Sequence, residues 1–285
     1  MRESLKPTTT TLQEVKVYVS NSCKQDIAAG DHHASSVTTI TALIINSCTI
    51  TYTPETRVYV NNINGLISKK ESINLIVNLL NPEIIVLTEI KLHQNSSFRF
   101  ENYETRMSNL KAGKEGILIA AKRESLLSMD MIFESKNKNI ATVEVCYQKD
   151  KIRIVAAHGP QETAQIQQKT EFFEELETEI QRCLLSEAKI IVAGDFNAKL
   201  EPQNSSSGNG KQLKNIIDKY NLVILNFDTK TSGKWTRIQK KGNTETKSVL
   251  DYIIVCPKMH RLVNSTIVDE DKLYTPYRVK KTEQR

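Results

Sequence analysis

From about Arg57 onward, short apolar runs alternate with turn signals, and the spacing inside each run separates strands from helices. TRVYVNNI (56–63) reads as a strand. SKKESINLIVNLLN (68–81) reads as a helix, because Ile73, Ile76, Val77 and Leu80 recur at helical spacing. Asn81-Pro82 ends it, since a proline pushes the residue before it out of the helical region. EIIVLTE (83–89) is a continuous apolar run, the pattern of a buried strand. GILIAAK (116–122), IATVEVCY (140–147) and KIRIVAAH (151–158) are further strands. A long helix is predicted through ETAQIQQKTEFFEELETEIQRCLL (162–185), with Ile166, Phe173, Leu176, Ile180 and Leu184 on one apolar stripe. KIIVAGDFN (189–197) is the next strand; a Ser/Gly-rich loop, NSSSGNG, leads to a helix over KQLKNIIDKYN (211–221) and to strands in LVILNF (222–227) and SVLDYIIV (248–255). Several strands follow one another without an intervening helix, which favours two sheets with helices outside over a strict βαβ repeat.

Before Arg57 the pattern changes. KPTTTT, DHHASSVTT and NSCTITYT are rich in Thr and Ser with little helical period. Residues 1–55 are therefore expected to be an accessory or disordered segment, and residues 56–285 the folded domain. The adjacent His32 and His33 have no third ligand nearby and read as loop, not metal site. A length of 285 residues suits one large α/β domain. Hydrophobic residues make up 39% and charged residues 25%, ordinary for a soluble chain, and no run approaches the roughly 18 apolar residues of a membrane span. No membrane partner is expected. The five cysteines (Cys23, Cys48, Cys146, Cys183, Cys256) are scattered without C-x-x-C spacing, which argues against a disulfide framework or zinc site and fits a reducing, intracellular compartment. MRESLKPTTTTLQEV lacks the apolar core of a secretory signal. A formal net charge of +6 suits a polyanionic partner without identifying one.

The candidate chemistry lies at strand ends. Asn62 and Asn64 close the first strand, Glu89 closes EIIVLTE, His158 closes KIRIVAAH, Asp195 and Asn197 close KIIVAGDFN, and Asp251 opens DYIIV. Packed side by side, such ends can converge on one rim as a single cleft. Each also has an ordinary reading. Glu89 and Lys91 can form a solvated ion pair, Asp195 an Asx turn after Gly194, and Asn62 and Asn64 a turn before Gly65. Asp251, set against Tyr252, Ile253, Ile254 and Val255, is expected to be buried and to need a His or Arg partner.

Taken in order, NINGL (62–66), LTEIK (87–91), AAHGPQ (156–161), GDFNA (194–198) and VLDYII (249–254) resemble the endonuclease/exonuclease/phosphatase superfamily. More closely, they look like the apurinic-type endonuclease domain of LINE-type non-LTR retrotransposons. The resemblance covers about residues 57–279 and implies a four-layer α/β sandwich, two mixed β-sheets face to face with outer helices. It implies that Glu89 is the chief ligand of Mg²⁺, with Mn²⁺ an alternative. Asn62 would hold the metal ligand or the phosphate, and Asp195 would orient or deprotonate the attacking water. Asn197 would bond the scissile phosphate while Phe196 packs in the core, and Asp251 would orient a phosphate-polarising histidine. The implied partner is DNA, within a longer polyprotein that carries a reverse transcriptase, and the implied location is intracellular with access to the nucleus.

The sequence departs from the family pattern in several places. Asn64 stands where some members have Asp, although retroelement members commonly show Asn. His158 stands where many have a phosphate-contacting Tyr, and a His would make activity titrate near neutral pH. Thr236, after Trp235, falls where retroelement members place a polar residue near the substrate. The family's closing Ser-Asp-His motif does not occur in this sequence, and the His260 context, CPKMHR, lacks its Ser-Asp, so a shortened copy is expected. A retroelement endonuclease, a catalytically dead copy that keeps the fold, and a cellular phosphatase of the superfamily all remain open at this level.

Overall fold

The computed structural model describes residues 15–21, 56–108, 114–147, 150–200, 208–241, 244–271 and 273. The first half of the chain supplies β1 (Val15–Asn21), β2 (Thr56–Asn62), α1 (Lys70–Leu80), β3 (Ile84–Thr88), β4 (Tyr103–Ser108), β5 (Ile117–Lys122), β6 (Ser128–Glu134) and β7 (Ile140–Tyr147). β8 (Asp150–His158), α2 (Ile166–Leu184), β9 (Lys189–Asp195), α3 (Gly208–Lys219), β10 (Val223–Ile224) and β11 (Thr231–Ser232) follow. The chain continues through β12 (Arg237–Lys241), β13 (Thr244–Ser248), β14 (Asp251–Val255), α4 (Pro257–His260) and β15 (Val263–Val268).

Two mixed sheets hold these strands. One runs β11-β15-β1-β2-β3-β5-β4, the other β10-β14-β9-β8-β7-β6, and β12 pairs with β13 as a separate hairpin. Val58, Val86 and Ile119 of the first sheet share one buried core with Val143, Ile154 and Ile191 of the second, so the sheets pack face to face. The period of two along β2 and β3 divides their side chains. Val58, Val60, Ile84 and Val86 enter the inter-sheet core, while Tyr59, Ile85 and Leu87 turn to the opposite face against Ile73, Ile76 and Val77 of α1. On the second sheet, Phe172, Phe173, Leu176 and Ile180 of α2 and Leu213, Ile216 and Ile217 of α3 bury against the strands. The four-layer sandwich expected from the motifs is the observed fold.

Most predicted elements are present, and the differences have local causes. α1 ends at Leu80 with Asn81 in the left-handed conformation, as Asn81-Pro82 implied. Ile166 does not join the α2 stripe; it is the first helical residue and 79% exposed, whereas Glu179 is buried on the packed face, where Arg182 neutralises it at 2.8 Å. LVILNF forms a strand at Val223–Ile224 alone and then a 3₁₀ turn, because the Asn226 side chain takes over strand bonding to β14. Its Nδ2 donates to the Asp251 carbonyl at 3.0 Å and its Oδ1 accepts the Ile253 amide at 3.0 Å. β1 lies well before residue 55 and joins the first sheet in parallel with β2, from Val15↔Thr56 to Asn21↔Asn62. Its VKVYVSN alternation is a strand signal embedded in a Thr/Ser-biased region. His32, His33, Cys23 and Cys48 lie outside the described residues. Cys146, Cys183 and Cys256 are free thiols. None of the described helices is long and apolar enough to cross a membrane.

Candidate active site

β8, β9 and β14 end or begin at one rim of the second sheet, and their register is what gathers the acidic groups. His158 pairs with Asp195 in the parallel ladder, and Asp251 pairs with Asp195 in the antiparallel one, so three side chains stand abreast on one face. The backbone closeness of β8 and β9 depends on Gly194. Its φ is 145°, and a Cβ there would lie 1.9 Å from the Ala157 carbonyl oxygen. Opposite stand Asn62, two residues beyond inward-facing Val60, and Glu89, one residue beyond β3.

An amide joins the two sheets. Asn62 Nδ2 donates to Glu89 Oε1 at 2.8 Å and to Asp195 Oδ2 at 2.9 Å. The orientation of that amide follows from chemistry, since an oxygen in the same place would face two carboxylates. Its Oδ1 accepts the backbone N–H of Asn64 at 3.3 Å, which turns the chain after β2. Asp195 Oδ1 accepts the backbone N–H of Asn197 at 2.9 Å, and Asn197 Nδ2 donates to the Gly159 carbonyl at 2.8 Å. Phe196, between them, is fully buried beside Tyr252, as the alternation implied.

The electrostatics set the three ionisable groups apart. Burial would raise the Glu89 pKa, but the neighbouring His158, the Asn62 amide and Lys91 outweigh it and hold the carboxyl far below its usual range. Burial raises the Asp195 pKa, and Glu89 adds to the rise; His158, the Asn197 amide and Asn62 only partly offset it. Burial would lower the His158 pKa, yet Glu89 and the charges of Asp195 and Glu115 raise it. His158 Nε2 lies 3.4 Å from Glu89 Oε1, a charge contact longer than a good hydrogen bond.

Lysines complete this rim. Lys91 Nζ lies 3.0 Å from Glu89 Oε2 and also donates to Asn64 Oδ1, so the expected Glu89–Lys91 ion pair forms, inside the site. Lys69 Nζ donates to the Ile63 carbonyl at 2.6 Å, and burial brings its pKa down to about 8. Asn64, Glu89, Lys91 and Asn197 all have left-handed backbone, with φ of 47°, 50°, 54° and 45°. For glutamate and lysine this costs on the order of 1 kcal/mol each. The cost is met by the ladder that fixes the loop, in which Gly65 N–H donates to the Glu89 carbonyl at 2.8 Å and Lys91 N–H to the Glu115 carbonyl at 2.9 Å.

Of the eight residues singled out from the sequence, Asn62, Glu89, His158 and Asp195 form one connected cluster, with Asn197 bonded to Asp195 and Asn64 tied to Glu89 through Lys91. Asp251 lies beside Asp195. The Thr236 hydroxyl accepts the backbone amides of Leu250 at 3.0 Å and Asp251 at 3.2 Å, so it secures the start of β14. Sequence reasoning passed over Lys69, Gly159 and Asn209. Gly159 packs so tightly on Phe196 that a Cβ would lie 2.4 Å from its carbonyl oxygen, and the Gly-Pro after a strand was the available signal.

One atom each from Glu89, His158 and Asp195 lie within 4.8 Å of one another, a spacing that can hold a metal ion. The carboxylate oxygens of Glu89 and Asp195 are the hard donors Mg²⁺ prefers, and a site with so few protein oxygens leaves room for its waters and for a phosphate. The residues present fit such an ion.

Residues 152–273 match the family model described as endonuclease-reverse transcriptase. No curated protein matches the chain. Among solved structures, the 3′-5′ exonuclease NExo from Neisseria meningitidis superposes with a TM-score of 0.57 at 16% identity, covering 72% of this chain and 88% of its own. The endonuclease domain of TRAS1, a telomere-specific non-LTR retrotransposon, superposes at 0.53 and 18% identity, covering 72% and 87%. An AP endonuclease from Archaeoglobus fulgidus superposes at 0.53 and 16% identity, covering 72% and 88%. The resemblance read from the five motifs is therefore upheld: the chain has the endonuclease/exonuclease/phosphatase fold.

Proposed function

We propose that the chain is a divalent-metal-dependent phosphodiesterase that nicks DNA, acting as the endonuclease part of a retroelement polyprotein whose nick primes reverse transcription. The observation that carries the reading is the Asn62 amide clamped between Glu89 and Asp195, with His158 Nε2 3.4 Å from Glu89. Glu89, with Asp195 beside it, would hold Mg²⁺ or Mn²⁺, which would supply Lewis acidity to the phosphate and its leaving oxygen.

The chain's own residues divide the remaining work. Glu89 stays ionised at neutral pH. Asp195, raised by burial, is a stronger base than a surface aspartate and accepts the proton of the attacking water at Oδ2. His158, whose Nε2 lies 3.4 Å from Glu89 Oε1, presents a ring N–H donor to a phosphate oxygen. The second amide hydrogen of Asn197 donates to the same phosphate. Asp251 stands abreast of Asp195 on the same face of the sheet. Lys91, steered by Asn64, contacts the neighbouring phosphate, and Thr236 fixes Asp251.

DNA is favoured as substrate by the TRAS1 likeness and by the rim beyond Thr236. Lys234 Nζ lies 4.5 Å from the centre of the Trp235 ring, and Arg237 opens the β12–β13 hairpin directly after Thr236. A nick that primes reverse transcription on chromosomal DNA places the protein in the nucleus. One solved relative is described as a 3′ phosphatase bound to a product DNA hairpin, which makes removal of a 3′-phosphate from DNA the second reading.

The test is nicking of supercoiled plasmid in Mg²⁺ by the full chain and by Glu89→Ala, alongside release of phosphate from a 3′-phosphorylated oligonucleotide. The expected result is metal-dependent nicking lost in Glu89→Ala. Undiminished nicking in excess EDTA or in Glu89→Ala overturns the reading. Phosphate release without nicking selects the second.

A further inference from the structure

α3 begins beside the site, and its second residue is fully buried there. Asn209 has no exposed surface, and its Nδ2 donates in two directions, to the Pro160 carbonyl at 2.8 Å and to the Asn197 carbonyl at 3.1 Å. Those carbonyls belong to different loops. Pro160 follows His158 and Gly159 after β8, and Asn197 follows Asp195 after β9. The orientation of the amide is dictated by its neighbours, since an oxygen facing two carbonyls would be repelled. Asn209 Oδ1 consequently sits buried without a hydrogen-bond partner among the described residues, a cost an apolar side chain of the same size would avoid.

Helix capping does not account for this side chain. The first amides of α3 are taken by Glu162, whose Oε1 accepts Gly208 N–H at 2.8 Å and whose Oε2 accepts Asn209 N–H at 3.4 Å. What the Asn209 amide holds instead is the left-handed Asn197. That residue is fixed by its own N–H to Asp195, by its Nδ2 to Gly159, and by its carbonyl to Asn209. The first two bonds pull Asn197 toward the site, and the third anchors it from behind to a helix.

We propose that Asn209 is a positioning residue for the phosphodiester cleavage: it locks the His158–Pro160 and Asp195–Asn197 loops at fixed separation, so that the water-activating carboxylate and the phosphate-binding groups stay in register. The inference rests on the phosphodiesterase reading. A displacement of about 1 Å between reacting groups is enough to lower turnover by up to about a hundredfold.

The experiment compares the full chain with Asn209→Leu, which fills the volume without donors, and Asn209→Ser, which restores one donor. kcat and KM for plasmid nicking are measured at saturating Mg²⁺, well below each variant's unfolding temperature. Asn209→Leu is expected to lose about tenfold or more in kcat with KM changed less than about threefold, and Asn209→Ser to recover part of the loss. Equal kcat in a folded Asn209→Leu overturns the inference and leaves the phosphodiesterase reading standing. A loss confined to KM also overturns it. Should Asn209→Leu fail to unfold cooperatively, Asn209→Ala, which lacks the donor in a smaller side chain, decides: a kcat lowered about tenfold or more with little change in KM supports the inference, and a wild-type kcat overturns it. No nicking by the wild-type chain with any divalent cation overturns both.

Discussion

At the scale of single residues, the site is a balance among Glu89, Asp195 and His158, each shifted by the others. Asp195 is the member whose chemistry is easiest to isolate, because asparagine keeps its shape and loses its basicity. Asp195→Asn is expected to nick DNA about a hundredfold or more slowly with an unchanged circular dichroism spectrum, on the usual scale for a lost general base. A near wild-type rate would make Asp195 a structural tie between Asn62 and Asn197. Asp195 accepts from Asn62 Nδ2 and from the Asn197 backbone N–H, and asparagine, with one acceptor in place of two, keeps only one of these contacts. Lys91 illustrates how one contact supports two readings. Its ion pair with Glu89 is a modest stabiliser at a side-chain exposure of 33%, while under the proposed function the same ammonium group would contact a phosphate.

At the scale of elements, strand ends carry the chemistry and strand beginnings carry a separate cluster. Glu83, just before β3, accepts the Arg57 amide through its carboxylate, and Tyr147 of the second sheet donates to its carbonyl at 3.2 Å. Burial raises its pKa more than the Arg57 amide and the charges of Lys122 and Arg57 lower it. An acid whose folded pKa lies above its unfolded value is protonated longer in the native state, so stability falls as pH rises from the unfolded value, about 4.3, through the folded one. Glu83→Gln removes that titration while keeping an acceptor for Arg57. The variant should show a flatter melting temperature between about pH 4.5 and neutrality than the wild type, measured by calorimetry. An identical slope would place the Glu83 carboxylate in solvent. At the other rim, Phe196 is fully buried beside Tyr252, on the face of the second sheet opposite Asp195. Phe196→Ala should cost about 3–5 kcal/mol in urea unfolding, because the cavity opens in a fully packed core.

At the scale of the whole molecule, two consequences follow from gathering acids at one rim of a basic protein. A divalent cation that binds the folded site and not the unfolded chain stabilises by mass action. Thermal unfolding should therefore shift upward with Mg²⁺ or Mn²⁺, and the shift should be lost in Glu89→Gln. A shift of equal size in that variant would locate the cation elsewhere. The net charge of +6 and the hairpin bearing Arg237 predict DNA binding that weakens steeply with salt. Arg237→Ala should lower the slope of log K against log salt by about one if that guanidinium neutralises a phosphate.

Local pattern sufficed for much of this. The alternation in TRVYVNN, the Asn81-Pro82 stop and the apolar run before GDFNA depend on neighbours a few residues away, and β2, α1, β3 and β9 appear where those signals lie. Five ordered motifs were enough to identify the fold and the strand ends that bear polar groups. Which of those groups touch was decided by tertiary structure. Asn62 and Asp195 are joined at 2.9 Å although far apart in the chain, and nothing in either motif specifies the register that aligns His158, Asp195 and Asp251. Asn209 lay in a loop read as Ser/Gly-rich linker, and its value comes from two carbonyls contributed by other segments. β1 was obscured because its period-two signal is short and its stabilisation is entirely non-local, through pairing with β2 and β15. Sequence fixes what each segment can become, through propensity and periodicity over a few residues. Contacts, pKa shifts and the left-handed turns at Glu89, Lys91 and Asn197 exist only after distant strands have closed around them, because their energies come from partners the local chain does not contain.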